Sequence, residues 1–590
     1  MAVVSDTRGR DRRLRRTGWM LTALLALAAI AADPAHALFL DDGRNISFRA
    51  RLYSQATLAT ENALDYSDPG LFKAGQLVSQ RNFLEPELDA KFLPFLNVSW
   101  LDDFSGRLAL WGFYDGVYDY GAEQFGDRAA DVKFRKTVSI AGQPPTMLGL
   151  QTKGHGPEFA LSNRDQRRDT RDIYAQRDRV NEAYINIAKG PLFVRIGRQA
   201  ISWGESDTIG LLDANNPFDV SVGAPGLTED LDESRIPLWT LRSTLQLYTN
   251  VGPFSSGFLD MYWVPGWLDT NTGPFPMSGV NFESTPPPNG GGQHVEDSIP
   301  KDSLKNSRWG VRFQTVVARD YTTSAWFYTT FPVTPAIHIV GIDTQHLVTV
   351  AAEHRLTNVI GLSNTFYSDK VNAVVRSELE LFNGEPGFVV KNAVLKAINS
   401  GFQQPGSITR ANILRGELGM DRNFFITALN PTQSFMTVTA LVFSANLSQT
   451  AHTIFRDAGQ IKPSAIKRQL EGGPQAGSVT SECDGQGDIN HNGKVDCDYI
   501  GQDPFEFFVQ NNLSTEYMHG RLAPSLLTIL TGHGALTWVP AVDYRFSDSF
   551  IGEVKYINVH RFGNTTNGLP GAPLPTDRDQ VWFRLTYQLN

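Results

Sequence analysis

Apart from one run near the N-terminus, no stretch of the 590-residue chain approaches eighteen uninterrupted apolar residues, so the sequence predicts no transmembrane helix. A basic excess is also missing. Lys and Arg number 53 against 62 Asp and Glu, a net charge of −9, which makes nucleic acid a poor partner. Cysteine is nearly absent: Cys483 and Cys497 are the only two, which rules out a disulfide-rich scaffold. Sustained helical periodicity is lacking as well, and what replaces it is a run of short alternating segments. These are rich in aromatics (11%) and separated by clusters drawn from 52 Gly and 32 Pro.

The exceptional run lies behind Arg8, Arg10, Arg12, Arg13, Arg15 and Arg16. It extends from Trp19 to Ala32 and is followed by Ala35-His36-Ala37. That order reads as a secretory signal peptide, 1–37, cut after Ala37. The alternative, a membrane anchor, needs roughly twenty apolar residues, and this run is too short. Those 37 residues hold six Arg against Asp6, Asp11 and Asp33, a net of +3, so the remainder carries −12. In an exported protein the two cysteines are expected to be bonded.

Gln580–Asn590 gives the architecture. Val581, Phe583, Leu585, Tyr587 and Leu589 alternate with Trp582, Arg584, Thr586 and Gln588, as in a strand with one apolar and one polar face. Near the other end, Ile46, Phe48, Ala50 and Leu52 alternate with Ser47, Arg49, Arg51 and Tyr53. A closed transmembrane barrel pairs its last strand with its first, and these two fit as that seam. The connections between segments alternate in length. Short ones are expected at Asp102–Gly106, Lys189–Pro191, Val251–Phe254, Arg319–Tyr321, Asp369–Asn372, His519–Pro524 and Ser547–Ser549; long ones lie between them, with 421–433 and 532–535 straining the pattern. Short periplasmic turns and long outer loops have this parity. The expectation is an all-β, closed antiparallel transmembrane β-barrel of about eighteen strands, sixteen being the other count, in one domain over 38–590, placed in the outer membrane of a Gram-negative bacterium. Its surroundings would be lipid and lipopolysaccharide, which the arginines and aspartates between 165 and 179 either touch or face as a solvated helix.

Charge on one face of a strand marks the lumen, because lipid penalises a basic residue at the midplane by roughly 2–4 kcal/mol. Lumen-facing residues are therefore expected at Arg49, Arg51, Arg242, Asp260, Arg312, Arg376, Glu378, Glu380, Arg415, Glu417, Asp543, Arg545, Glu553, Lys555 and Arg584. They either brace the barrel and hold water or form a selectivity ladder. The loop 204–236, with Trp203 just before it and Leu211, Leu212 and Phe218 within it, is too apolar for a free loop in water and is expected to fold into or over the lumen as a plug.

The loop 447–504 carries Asp488, Asn490, Asn492, Lys494 and Asp496, with Gly493 at the turn. This spacing matches the way a loop wraps Ca²⁺ through alternate oxygens, and it resembles the calcium loops of dockerin and thrombospondin type 3 repeats. Tyr499 stands where an EF-hand has its bidentate Glu. A structural Ca²⁺ beside a Cys483–Cys497 bond would stiffen an outer hairpin. Gly204-Glu205-Ser206 begins like a nucleophile elbow, but Thr208 replaces the second Gly and nothing marks a partner His, so enzyme activity is not expected.

Phe193–Ser206 (FVRIGRQAISWGES), Asn215–Val220, Pro237-Leu-Trp, Leu418–Asn423 before Leu429-Asn430-Pro431, and His519–Pro524 together resemble an uncharacterised proteobacterial outer-membrane family, domain of unknown function 1302. That resemblance implies an outer-membrane barrel tied to passage of hydrophobic compounds alongside an inner-membrane efflux-type pump. It supplies no catalytic residues. The functional expectation is a channel or conduit for small hydrophobic or amphipathic molecules. The alternatives are a surface interaction barrel using Ca²⁺-stiffened loops and, third, a lipolytic enzyme acting through Ser206.

Overall fold

The computed structural model describes residues 38–61, 74–96, 98–121, 132–138, 146–152, 176–206, 212–219, 223–273, 293–298, 300–318, 320–332, 336–342, 348–387, 409–448, 505–532, 534–561 and 579–589. The wall comprises β1 (Ile46–Ala59), β2 (Leu77–Lys91), β3 (Asp103–Asp115), β4 (Gln176–Lys189), β5 (Leu192–Gln199), β6 (Leu238–Val251), β7 (Phe254–Val264), β8 (Arg308–Val317) and β9 (Tyr321–Thr330). It continues through β10 (Thr357–Ser368), β11 (Ala373–Gly387), β12 (Thr409–Phe424), β13 (Phe435–Asn446), β14 (Phe505–Ser514), β15 (Leu522–Thr531), β16 (Ala535–Arg545), β17 (Phe550–Arg561) and β18 (Gln580–Leu589). Each strand pairs antiparallel with the next, and β1 pairs with β18, so eighteen strands close a ring without an edge. The two-residue strand Leu38–Phe39 attaches to β1. A hairpin (Val132–Val138 with Thr146–Thr152) and a three-stranded sheet (Gln293–Ser298, Ala336–Ile342, Val348–Glu353) lie in long connections.

The seam has the register that alternation requires. Arg51 faces Gln588, Tyr53 faces Thr586 and Gln55 faces Arg584, so the polar sets of both strands share the interior. In β11 the usual order of a water-soluble fold is inverted: Glu378 and Glu380 are 4% and 1% exposed, whereas Leu379 between them is 42% exposed. Ile360, Leu362, Leu418, Val554 and Phe583 likewise point outward and are exposed. A closed ring with leucines outside and carboxylates inside satisfies its backbone internally and presents an apolar belt to lipid. This is the arrangement of a membrane-spanning β-barrel.

Turns follow the expected parity, and both ends of the barrel chain lie on the short-turn rim. The connection 532–534 departs from it, being as short as a turn on the long-loop rim, and two long turns on the opposite rim have local causes. β3 begins at Asp103 and the turn before it spans 92–102, because Gly106 is paired with Ala90 inside the sheet. A Cβ there would meet the Phe92 ring at 2.9 Å, so this glycine marks a close approach and not a turn. The long rim turn 425–434 is organised by Asn430. Its Oδ1 accepts from Thr432 N and Gln433 N at 3.2 and 3.0 Å, and its Nδ2 donates to Thr515 Oγ1 and to the Glu516 carbonyl.

Candidate functional site

The segment between β5 and β6 enters the barrel. Asn216 ties its two ends together, accepting from Ile201 N at 2.7 Å and donating to the Ile236 carbonyl at 2.9 Å. Trp203 is buried and donates to Asp260 on β7 at 3.0 Å. Gly204 then turns at φ +101, where a Cβ would lie 2.5 Å from a Glu378 carboxylate oxygen; only glycine tolerates both conditions. With the backbone so close, Glu205 N and Ser206 N donate to Glu378 at 2.6 and 3.2 Å, and Arg376 donates to the Glu205 carbonyl at 2.7 Å. The Ser206 hydroxyl donates to Glu417 on β12, so a carboxylate, not an imidazole, receives its hydrogen.

Further along, Leu212 and Phe218 are buried. Tyr328 on β9 donates to the Leu212 carbonyl, Thr330 to the Ala214 carbonyl at 2.6 Å, and Tyr262 on β7 to Asn215 Oδ1 at 2.9 Å. The returning half meets the other side of the ring. Arg177 on β4 pairs with Asp219 and Arg81 on β2 with Glu229. Arg51 and Tyr53 on β1 each donate to Glu233 at 2.8 Å, and Arg584 on β18 reaches Asp230 at 3.1 Å. Leu227 packs with Val539, Ile557, Val559 and Trp582. β2 and β11 are nine strands apart in a ring of eighteen, so the segment is bonded to opposite walls.

Burial dominates the electrostatics of the acidic half. Burial, reinforced by Asp219 and Glu233 against the opposing Arg81, pushes the Glu229 carboxyl up to about 8. Burial and Asp230, opposed by Arg51 and Arg584, push Glu233 up to about 7. Burial would raise Asp230 too, but Arg584, a hydrogen bond with Glu233, and Arg51 outweigh it and hold that group at about 2.

The remaining sequence-singled charges sit on the inner face. Arg49 and Arg107 share Glu87 and Asp89. Arg242 and Arg312 both reach Asp260, at 2.7 and 3.3 Å. Arg376 pairs with Asp421 and Arg415 with Glu385, while Glu380 accepts from Trp326 and Tyr328. Lys555 pairs with Glu553, which directly faces both Asp543 and Arg584; Arg545 ends β16 at the short-turn rim. Several wall residues were not legible as such. Arg177 and Arg179, expected on a helix, belong to β4 and alternate inward with Asp178 and Val180. Arg179 donates to the Glu233 and Arg235 carbonyls. The sequence singled out neither Arg81 on β2 nor Glu229, Asp230 and Glu233, whose partners lie on β1, β2 and β18. Leu211, residues 1–37, the 165–175 part of the charged run, Cys483, Cys497 and the calcium-like series Asp488, Asn490, Asn492, Lys494 and Asp496 lie outside the described residues.

Comparison with known proteins places this geometry in context. The family model described as a protein of unknown function (DUF1302) matches residues 19–589. No curated protein matches. Among solved structures, the chain is similar to Acinetobacter baumannii OccAB4 (9% identity, TM-score 0.42, covering 92% of this chain and 98% of that one). It is also similar to Pseudomonas aeruginosa OccK9 (OpdG) (8%, 0.41, 93% and 99%) and to the outer-membrane channel DcaP of A. baumannii (10%, 0.33, 92% and 96%).

Proposed function

The chain belongs to the DUF1302 family, proteins of unknown function, and we propose that it is an outer-membrane channel whose lumen is narrowed by the segment 204–236. The observation that carries this reading is the pair of anchorages on opposite walls: Glu378 and Glu417 hold Glu205 and Ser206, while Arg81, Arg51 and Arg584 hold Glu229, Glu233 and Asp230. A segment so attached divides the interior cross-section, and passage then depends on the gaps beside it or on its displacement. The interior sets charged rows next to aromatic and aliphatic side chains, a lining suited to small amphipathic molecules. Deleting 207–234 across a short Gly-Ser bridge is expected to raise single-channel conductance severalfold in planar bilayers. Unchanged conductance of a correctly folded deletion barrel would leave a structural surface barrel as the better reading.

A further inference from the structure

The outer face of the wall changes character where β5–β8 reach the long-loop rim. Arg198 on β5 directly faces Trp239 on β6, Leu241 faces Trp263 on β7, and Trp263 faces Trp309 on β8. Gln199 is wholly buried inside the barrel, whereas Ile196, two residues before Arg198, is exposed, so Arg198 stands on the lipid side of the strand. Trp239 and Trp309 are exposed on that side too, and Trp267, just beyond β7, meets the Trp263 ring edge-on at 5.1 Å. A band of aromatic residues marks the depth at which a barrel wall passes from hydrocarbon to headgroups. The connections after β5 and β7 are long, 200–237 and 265–307, so this boundary belongs to the outer leaflet.

The donors of this patch are unspent. Arg198 makes no hydrogen bond or ion pair among the described residues, and its Nε is buried without an acceptor. Asp269, the carboxylate whose charge reaches it, is committed elsewhere: it accepts from Trp239 N and Asn271 N, each at 3.0 Å, and lies 3.9 Å from Arg308. Inside the barrel, Trp203 and Trp326 donate their indole N–H groups to Asp260 and Glu380 at 3.0 and 2.9 Å. Those of Trp239, Trp263, Trp267 and Trp309 meet no acceptor among the described residues. Just above the band, Ser303 N donates to the Gly266 carbonyl at 2.9 Å and Gly266 N to Ser307 Oγ at 3.0 Å. The connection so held presents exposed Lys301 and Lys305, with Asp302 as the carboxylate between them.

We propose that this patch is a binding site for a phosphorylated glycolipid of the outer leaflet, with Arg198 holding a phosphate, the rim indoles donating to the headgroup, and acyl chains lying on Ile196, Leu241 and Met261. A phosphate accepts hydrogen bonds through every free oxygen, and the planar guanidinium fork matches two of them at once. Ile196, Leu241 and Met261 are exposed below the band and supply the apolar floor. Four neighbouring strands span about 14 Å, room for a headgroup that carries more than two acyl chains. The site faces lipid and not the lumen, so it stands whether or not the barrel conducts.

Native mass spectrometry of the purified full-length barrel released from detergent tests it, with diphosphoryl lipid A, the same lipid A stripped of both phosphates, and phosphatidylglycerol as probes. The diphosphoryl form should be retained about tenfold more tightly than the stripped form, since the latter lacks the charge-assisted pair. Arg198→Gln should remove most of that difference while still retaining stripped lipid A, which shows that the variant is folded; Arg198→Lys should remove less. Trp239→Leu/Trp263→Leu should weaken both forms, and Lys189→Gln, on the opposite rim, should weaken neither. Equal retention of the two lipid A forms, an unaffected Arg198→Gln barrel, or an equal loss in Lys189→Gln each overturns the assignment. So does phosphatidylglycerol bound as tightly as diphosphoryl lipid A, or displacement of the lipid by millimolar inorganic phosphate, which would make this a site for free anions.

Discussion

Gly204 joins two constraints in one residue. Its φ of +101 is open to glycine, and the Glu378 carboxylate occupies the space a side chain would need. Gly204→Ala adds a methyl at 2.5 Å from an oxygen that also accepts two backbone N–H groups, so either the turn or the carboxylate must move. Backbone strain of this kind costs about 1–3 kcal/mol. The expected outcome is a correctly folded barrel with 204–206 released from β11, read as faster protease cleavage in 204–236 and a noisier single-channel current. Intact protection would show that the close approach is not required. Glu378 itself was visible in the sequence as a charge between Val375, Ser377 and Leu379, because lipid forbids it the outer face. Its ligand was not visible: the contact joins residues 173 apart in sequence, and no local pattern encodes that distance.

The inserted segment reads differently in its two halves. Its first half was legible by hydrophobicity, since Trp203, Leu212 and Phe218 would not remain in water. The second half carries Glu229, Asp230, Asp232 and Glu233, whose place hydrophobicity does not give, and Glu229 and Glu233 are each 2% exposed. What draws them in is a set of arginines on β1, β2, β4 and β18. The consequence for pH has a definite sign. Glu229 and Glu233 titrate near 8 and 7 when docked, against an ordinary 4.5, so the docked state holds more protons. Docking stability is then full below about 4.5 and is lost as pH rises through 7 and 8. Asp230 acts oppositely, its contribution being lost only as pH falls toward 2. Between pH 5 and pH 9 the facing groups Arg51, Arg81, Arg179 and Arg584 stay charged, so the two glutamates set the trend. Conductance in planar bilayers should rise from pH 5 to pH 9, and Glu229→Gln/Glu233→Gln should flatten that dependence. A rise preserved in the double variant would assign the titration elsewhere.

For the molecule as a whole, the physics that made the architecture legible is the same physics that holds it. Parity of loop length and inner-face charge could be read along the chain because water, lipid and rim each impose a period on it. The eighteen-strand ring follows from those periods, including the seam between Ile46–Ala59 and Gln580–Leu589. What they leave unspecified is how the lumen is filled, since interior packing answers to partners scattered around the ring. The lipid contribution can be isolated on β10, where Leu362 is 53% exposed and points outward next to the inward Ser363, which is 2% exposed and faces Glu378. Leu362→Arg puts a guanidinium on the lipid belt between Ala325 and Leu379, the residues directly opposite it. It should destabilise folding into vesicles by about 2–4 kcal/mol if the site lies at midplane depth, measured as a lower urea midpoint, while Leu362→Val should shift it by less than about 1 kcal/mol. In detergent micelles, whose headgroups approach the belt more closely, the Arg penalty should shrink. An equal penalty in both media would mean that the side chain is packed against protein and that lipid is not what keeps the outer face apolar.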